Sequence, residues 1–230
     1  SSVQIGESLG LSASALSWVS SAYTLTFGGF LLLSGRLSDL LGRKRIFLIG
    51  LLIFGFSSLM IGLSKTAEMV IIMRAVQGIG SSIIAPTTLA LIMDTYQNNM
   101  RQRAISYYGA TAGIGSSIGL LVGGGLTSLI SWRAGFLINV PFTLVLFILT
   151  LKYVKSSARR KETIDYLGSL LSIIGLVGII YGFTEGIFSF IVVGIIFIFL
   201  FILWERKTSS PILPLTLFQN KTRSGAYATR

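Results

Sequence analysis

The sequence contains no cysteine and no histidine. Without thiols there is no disulfide framework and no thiolate metal site. Without imidazole it lacks the commonest metal ligand and the side chain best suited to titrate near neutral pH. Acidic residues are scarce as well, eight against nineteen Lys and Arg, and 12% of residues carry charge. That is about half the ~25% usual for a soluble domain, which leaves too little polar surface for one. No nucleophile motif, phosphate-binding loop or metal cluster is visible, so the sequence supports no enzymatic activity, no metal and no cofactor.

What is present is long apolar runs. The chain is 52% hydrophobic with a mean hydropathy of +0.79. A bilayer core takes ~20 apolar residues per helix, and that length recurs seven times: Ala15–Ser34, Ile46–Leu63, Met69–Met93, Ala104–Ile130, Gly135–Leu151, Leu167–Thr184 and Phe188–Trp204. The runs are continuous and do not alternate at period two, which excludes barrel strands. The expected fold is an all-α polytopic membrane protein.

The net charge of +11 does not point to nucleic acid, because the basic residues follow the loops. Sixteen of the nineteen Lys and Arg fall after the first, third, fifth and seventh spans. Lys65 and Arg133 lie on the other side, and Arg74 lies within a span. Basic loops stay cytoplasmic, so the expected topology has the N-terminus outside and the C-terminus in the cytoplasm. The opening stretch SSVQIGESLGLSAS has no signal-peptide pattern. An odd number of spans between ragged ends reads as part of something larger.

Between the first two spans lies GRLSDLLGRKR, residues 35–45, with four basic residues, one Asp and two Gly. A basic turn for topology needs no Asp. Gly35 and Gly42 are expected to bracket a tight turn between close helices. Asp39 stands four residues before Arg43, within reach of an ion pair. The stretch resembles the signature loop between helices two and three of the major facilitator superfamily, GxLaDrxGrkxxl, matching at Gly35, Leu37, Asp39, Gly42, Arg43 and Lys44. The resemblance implies a gating latch in which Asp39 and Arg43 also engage Asp94.

A second stretch, MRAVQGIGSSIIAP, places Arg74 about two turns inside the third span, with Gln77 at i+3 and then Gly78. A guanidinium at that depth either snorkels to the interface or is functional. RxxQGxG resembles the fourth-helix motif of the same superfamily, which implies that Arg74, Gln77 and Gly78 belong to a cavity wall involved in proton coupling. The fourth span carries GATAGIGSSIGLLVGGGL. There Gly115, Gly119 and Gly123 repeat at i+4, with Gly124 beside them, a pattern that lets helix backbones touch. It resembles the drug–proton antiporter motif GPxxGG, although Leu120 stands where that motif has Pro. The glycine face is kept and the proline kink is not.

SWRAGFLINVPF, the short linker Lys152–Asp165 and SSPILPLTLFQNKT are similar to the fourteen-helix drug antiporters of that superfamily. The resemblance implies that the seven spans are helices two to eight. Residues 1–151 would be an N-terminal bundle without its first helix, 152–166 a cytoplasmic connector, 167–204 a two-helix insert, and 205–230 a loop towards a C-terminal bundle. It further implies proton-coupled efflux of drugs or other small amphipathic compounds by alternating access, with a lipophilic or cationic substrate, protons and the bilayer as partners, in a bacterial cell membrane. Trp18, Tyr23 and Asn139 are candidates for the substrate path; lipid or core packing explains the aromatics equally well. No buried carboxylate for a proton is visible, and by resemblance an Asp belongs to the first helix. A carrier for one metabolite or antibiotic is the alternative. A seven-helix receptor is disfavoured, since the last span has no Lys for a Schiff base and no loop has Cys.

Overall fold

The computed structural model describes residues 2–155, 165–208 and 212. The core of the connector and most of the basic stretch after the last span lie outside the described residues. The described residues divide into two compact units, one on each side of the connector. They contain nine helices and no strand. Seven helical stretches among them are long and apolar enough to cross a membrane, in agreement with the seven runs read from the sequence.

In the first unit, α1 (Ser2–Leu9) precedes α2 (Ala13–Leu41), α3 (Arg43–Leu63), α4 (Ala67–Thr95) and α5 (Asn98–Leu129). Two further helices, α6 (Trp132–Leu137) and α7 (Asn139–Tyr153), make up the fifth span. The interruption falls at Ile138, where the helical ladder is weakened because Pro141 supplies no N–H for the Leu137 carbonyl. Helices α2, α3 and α4 form the packed centre, and α7 lies against α3. Small residues make the close approach possible: a methyl group at Gly80 would stand 2.8 Å from the backbone nitrogen of Phe54 on α3. Between helices in lipid such contact, and not expulsion of water, is the main source of attraction. At the end opposite Gly42, Ile5 of α1 joins Val19, Ile61, Val70 and Trp132 in a buried cluster. The Trp132 indole N–H donates to the Ser8 hydroxyl at 2.8 Å, so the amphipathic opening stretch is docked by its apolar side.

The structure corrects the turn expected between Gly35 and Gly42. Residues 35–41 continue α2, and Gly42 alone, at φ 99° and ψ 123°, joins it to α3. The apolar run ends at Ser34, but the helix does not, because Arg36, Ser38 and Leu40 are buried against the unit. Burial extends a helix beyond its hydrophobic stretch. Gly35 is a packing position, where an added methyl would touch Cβ of Pro86 at 3.8 Å.

In the second unit, α8 (Tyr166–Glu185) and α9 (Phe188–Glu205) form a hairpin turned at Gly186, φ 68°. Asp165 caps α8 through the Gly168 N–H at 2.8 Å and accepts the Trp204 indole N–H at 2.9 and 3.0 Å. Glycines carry the contact between these helices: a methyl on Gly194 would lie 2.6 Å from the nitrogen of Ile179 and 2.7 Å from the oxygen of Gly175.

Candidate gating cluster and cavity wall

The residues of the first motif converge on Arg43, the first residue of α3. Its Nε and Nη2 donate to one oxygen of Asp39, at 3.0 and 2.8 Å, from the last turn of α2. Its Nη1 donates to Asp94 at 2.5 Å and to the Ala90 carbonyl at 2.9 Å, both on α4. One planar guanidinium therefore fastens the ends of three helices, a task that five fixed donors allow and a single ammonium does not. The one-residue junction at Gly42 makes this possible, because it reverses the chain fast enough for i and i+4 to face each other across it. A φ of 99° lies in the region that favours glycine. Beside the cluster, Lys44 donates through Nζ to the Leu151 carbonyl at the end of α7, at 2.9 Å.

The second motif forms a chain across the interior. Arg74 does not run out along α4 towards the interface. It turns sideways to α2, where Nε donates to the Val19 carbonyl at 2.9 Å and the guanidinium carbon lies 4.3 Å from the centre of the Tyr23 ring. Its Nη1 donates to Gln77 Oε1 at 2.7 Å, and Gln77 Nε2 reaches the Ser58 hydroxyl on α3 at 2.7 Å. Gly78 admits α2 to this point, because a side chain there would collide with Thr26 Oγ1 and the Tyr23 carbonyl. Thr26 uses the same proximity to donate to the Ala75 carbonyl at 2.7 Å. Sequence reading missed Ser58 and Thr26; their trace is a small polar residue inside an apolar run, a pattern shared by many back-bonded serines and threonines.

Of the substrate-path candidates, Tyr23 and Asn139 come together and Trp18 does not join them. A groove of about 390 Å³ is lined by Tyr23 and Phe27 of α2, Phe54 of α3, Ser81 of α4, and Asn139 and Phe142 of α7, among others. Tyr23 and Phe27 stack with ring centres 6.0 Å apart. Trp18 is half-buried nearer the start of α2. The lining is aromatic and aliphatic with a few polar groups, the composition of a small-molecule site. It contains no acid.

The α5 glycines are placed differently from the packing face expected of them. Residues 109–122 are all exposed, and methyl groups added at Gly115, Gly119, Gly123 or Gly124 would meet no atom within 4 Å. No other described helix is drawn against that face. Apart from the Tyr108 hydroxyl, 3.4 Å from the Ala85 carbonyl, α5 is joined to its unit mainly at its ends.

Known proteins match along the whole of this arrangement. The sequence profile of the Major Facilitator Superfamily fits residues 1–203. The chain belongs to that family. It is 37% identical over 230 residues to the puromycin resistance protein of Streptomyces alboniger, covering 95% of this chain and 46% of that one. It is 36% identical to the uncharacterized MFS-type transporter EfpA of Mycobacterium tuberculosis, covering 96% and 43%. With multidrug resistance protein 3 of Bacillus subtilis it shares 34% over 216 residues, covering 89% and 42%. The chain thus spans less than half the length of these relatives. As a superfamily member with seven membrane-spanning stretches, it is a multi-pass membrane protein.

Proposed function

We propose that this chain is the first half of a proton-coupled efflux carrier for drugs or other small amphipathic compounds, working by alternating access and not as an enzyme. The observation that carries the reading is Arg43, which ties the ends of α2, α3 and α4 through Asp39, Asp94 and the Ala90 carbonyl. A cluster of that kind has two states, made and broken, and its rupture frees three helix ends at once. In the proposed cycle it closes the cytoplasmic face, while Arg74 and Gln77 form the polar part of the cavity wall. The topology has the start of α2 outside and the Arg43 end in the cytoplasm, following the basic loops. The α5 glycine face awaits a helix from beyond the described residues. In this reading residues 1–151 belong to the N-terminal bundle without its first helix, 152–166 are the cytoplasmic connector, 167–204 the two-helix insert and 205–230 a loop towards the C-terminal bundle of a fourteen-helix carrier. The aromatic groove supports a lipophilic substrate; its lining has no acid, so within it a cation would be met by the faces of rings such as Tyr23 and Phe27 and not by a carboxylate.

The reading is tested with the full-length protein in a drug-sensitive bacterial host. Cells loaded with a fluorescent lipophilic dye should lose it faster than empty-vector cells, and a protonophore should abolish the difference. Equal dye retention across a panel of neutral and cationic dyes would refute efflux. Export unaffected by the protonophore would refute proton coupling.

A further inference from the structure

From the Arg74 network we infer that Ser58 on α3 is a positioning residue for transport, acting on Arg74 through Gln77. This rests on the efflux reading above. Arginine has only donors, so the Gln77 amide must turn its oxygen to Arg74, and the observed 2.7 Å contact is Nη1 to Oε1. The amide nitrogen then faces Ser58, and the Ser58 hydroxyl must accept from it, at 2.7 Å. Arg74 decides which way the amide faces, and Ser58 decides where it sits.

Neither residue of the inner pair has water as an alternative. Ser58 is 0% exposed and Gln77 is 2% exposed. A buried amide nitrogen that loses its acceptor rotates to find another, because leaving it unmatched is costly. That rotation draws Oε1 away from Nη1. Arg74 is then held by the Val19 carbonyl and the Tyr23 ring of α2 and by the Phe136 ring of α6, 5.7 Å away, and no longer through α3. The neighbouring Ser57 serves nothing of the kind: its hydroxyl donates back to Ile53 and Phe54 within its own helix.

The test uses membrane vesicles carrying the full-length protein, with phenylglyoxal as the arginine probe and mass spectrometry to read modification at Arg74. Arg133, which bonds the Ser64 carbonyl, is the internal reference. Ser58→Ala should raise the Arg74 rate about fivefold or more, with Arg133 unchanged. Ser58→Thr keeps the hydroxyl and should restore the wild-type rate. Gln77→Ala should match Ser58→Ala, and the double variant should equal either single one, since residues acting in series do not add. Wild-type labelling in Ser58→Ala, multiplied effects in the double variant, or a parallel rise at Arg133 would each overturn the inference. Dye export by the same vesicles supplies the second arm. Export should fall about tenfold in Ser58→Ala and recover in Ser58→Thr. Full export by Ser58→Ala despite exposed Arg74 overturns the role in transport. A wild-type protein that exports no dye sinks the efflux reading instead, while the labelling still decides whether Ser58 positions Arg74.

Discussion

Replacing Asp39 with Asn keeps volume and an acceptor oxygen but removes the charge that faces two nitrogens of Arg43. The Arg43 side chain is 18% exposed and that of Asp39 28%, so the pair is largely shielded. Removing one member of a fully buried pair costs about 3–5 kcal/mol, whereas an exposed pair is worth about 0–1 kcal/mol. The observed burial places Asp39→Asn between these, at about 2 kcal/mol, or about thirtyfold in the equilibrium between made and broken clusters. Asp94 makes the shorter contact, 2.5 Å, but its side chain is 42% exposed. Solvent screening outweighs the shorter distance, so Asp94→Asn should cost about 1 kcal/mol or less. Arg43→Lys should be at least as damaging as Asp39→Asn, because one ammonium cannot reach Asp39, Asp94 and the Ala90 carbonyl together. Dye export by the full-length protein, normalised to its abundance in the membrane, is the measurement. Export should be mostly lost in Asp39→Asn and Arg43→Lys and reduced only slightly in Asp94→Asn. Wild-type export by Asp39→Asn would reduce the cluster to a basic turn, and a larger loss in Asp94→Asn would reject the ranking by burial.

Other outcomes follow from the packing and the loops. Gly78→Ala should lower thermal stability by about 1–3 kcal/mol, because its methyl meets backbone of α2 that cannot yield; an unchanged melting temperature would contradict the observed approach of α2 to α4. Gly194→Leu should separate α8 from α9 and reduce membrane abundance, whereas normal abundance and melting would mean the hairpin is not held there. For topology, cysteines at Arg45 and Lys65, both exposed, should react with an impermeant reagent only from the cytoplasm and only from outside, respectively. Ser64 is unsuitable for this test, being 0% exposed with its hydroxyl bonded to the Ile61 carbonyl at 2.6 Å. The reverse labelling pattern would overturn the orientation.

Hydropathy alone determined the number and class of the membrane-spanning stretches, because a span must satisfy its own backbone and present about twenty apolar residues; the short α1 and the break between α6 and α7 were not in it. Spacing pointed to two contacts, Arg74 with Gln77 at i+3 and Asp39 with Arg43 at i+4; helical periodicity fixes the first, whereas the second is made across the Gly42 junction between α2 and α3. Where α2 ends was not legible, since polar residues at 36 and 38 look like loop until their burial against the unit is seen. Nor were the partners that come from other helices. Ser58, Thr26 and Val19 enter the Arg74 site from α2 and α3, and nothing in a local pattern says which face of one helix meets which face of another. The glycines make the same point from both sides. A stripe of small residues permits close approach; the sequence reading expected it of Gly115, Gly119 and Gly123 on α5 and not of Gly175, Gly178 and Gly194 on α8 and α9. Only the packing of whole helices decided that the second set is filled and the first stands open, because contact depends on a partner surface that the stripe itself does not encode.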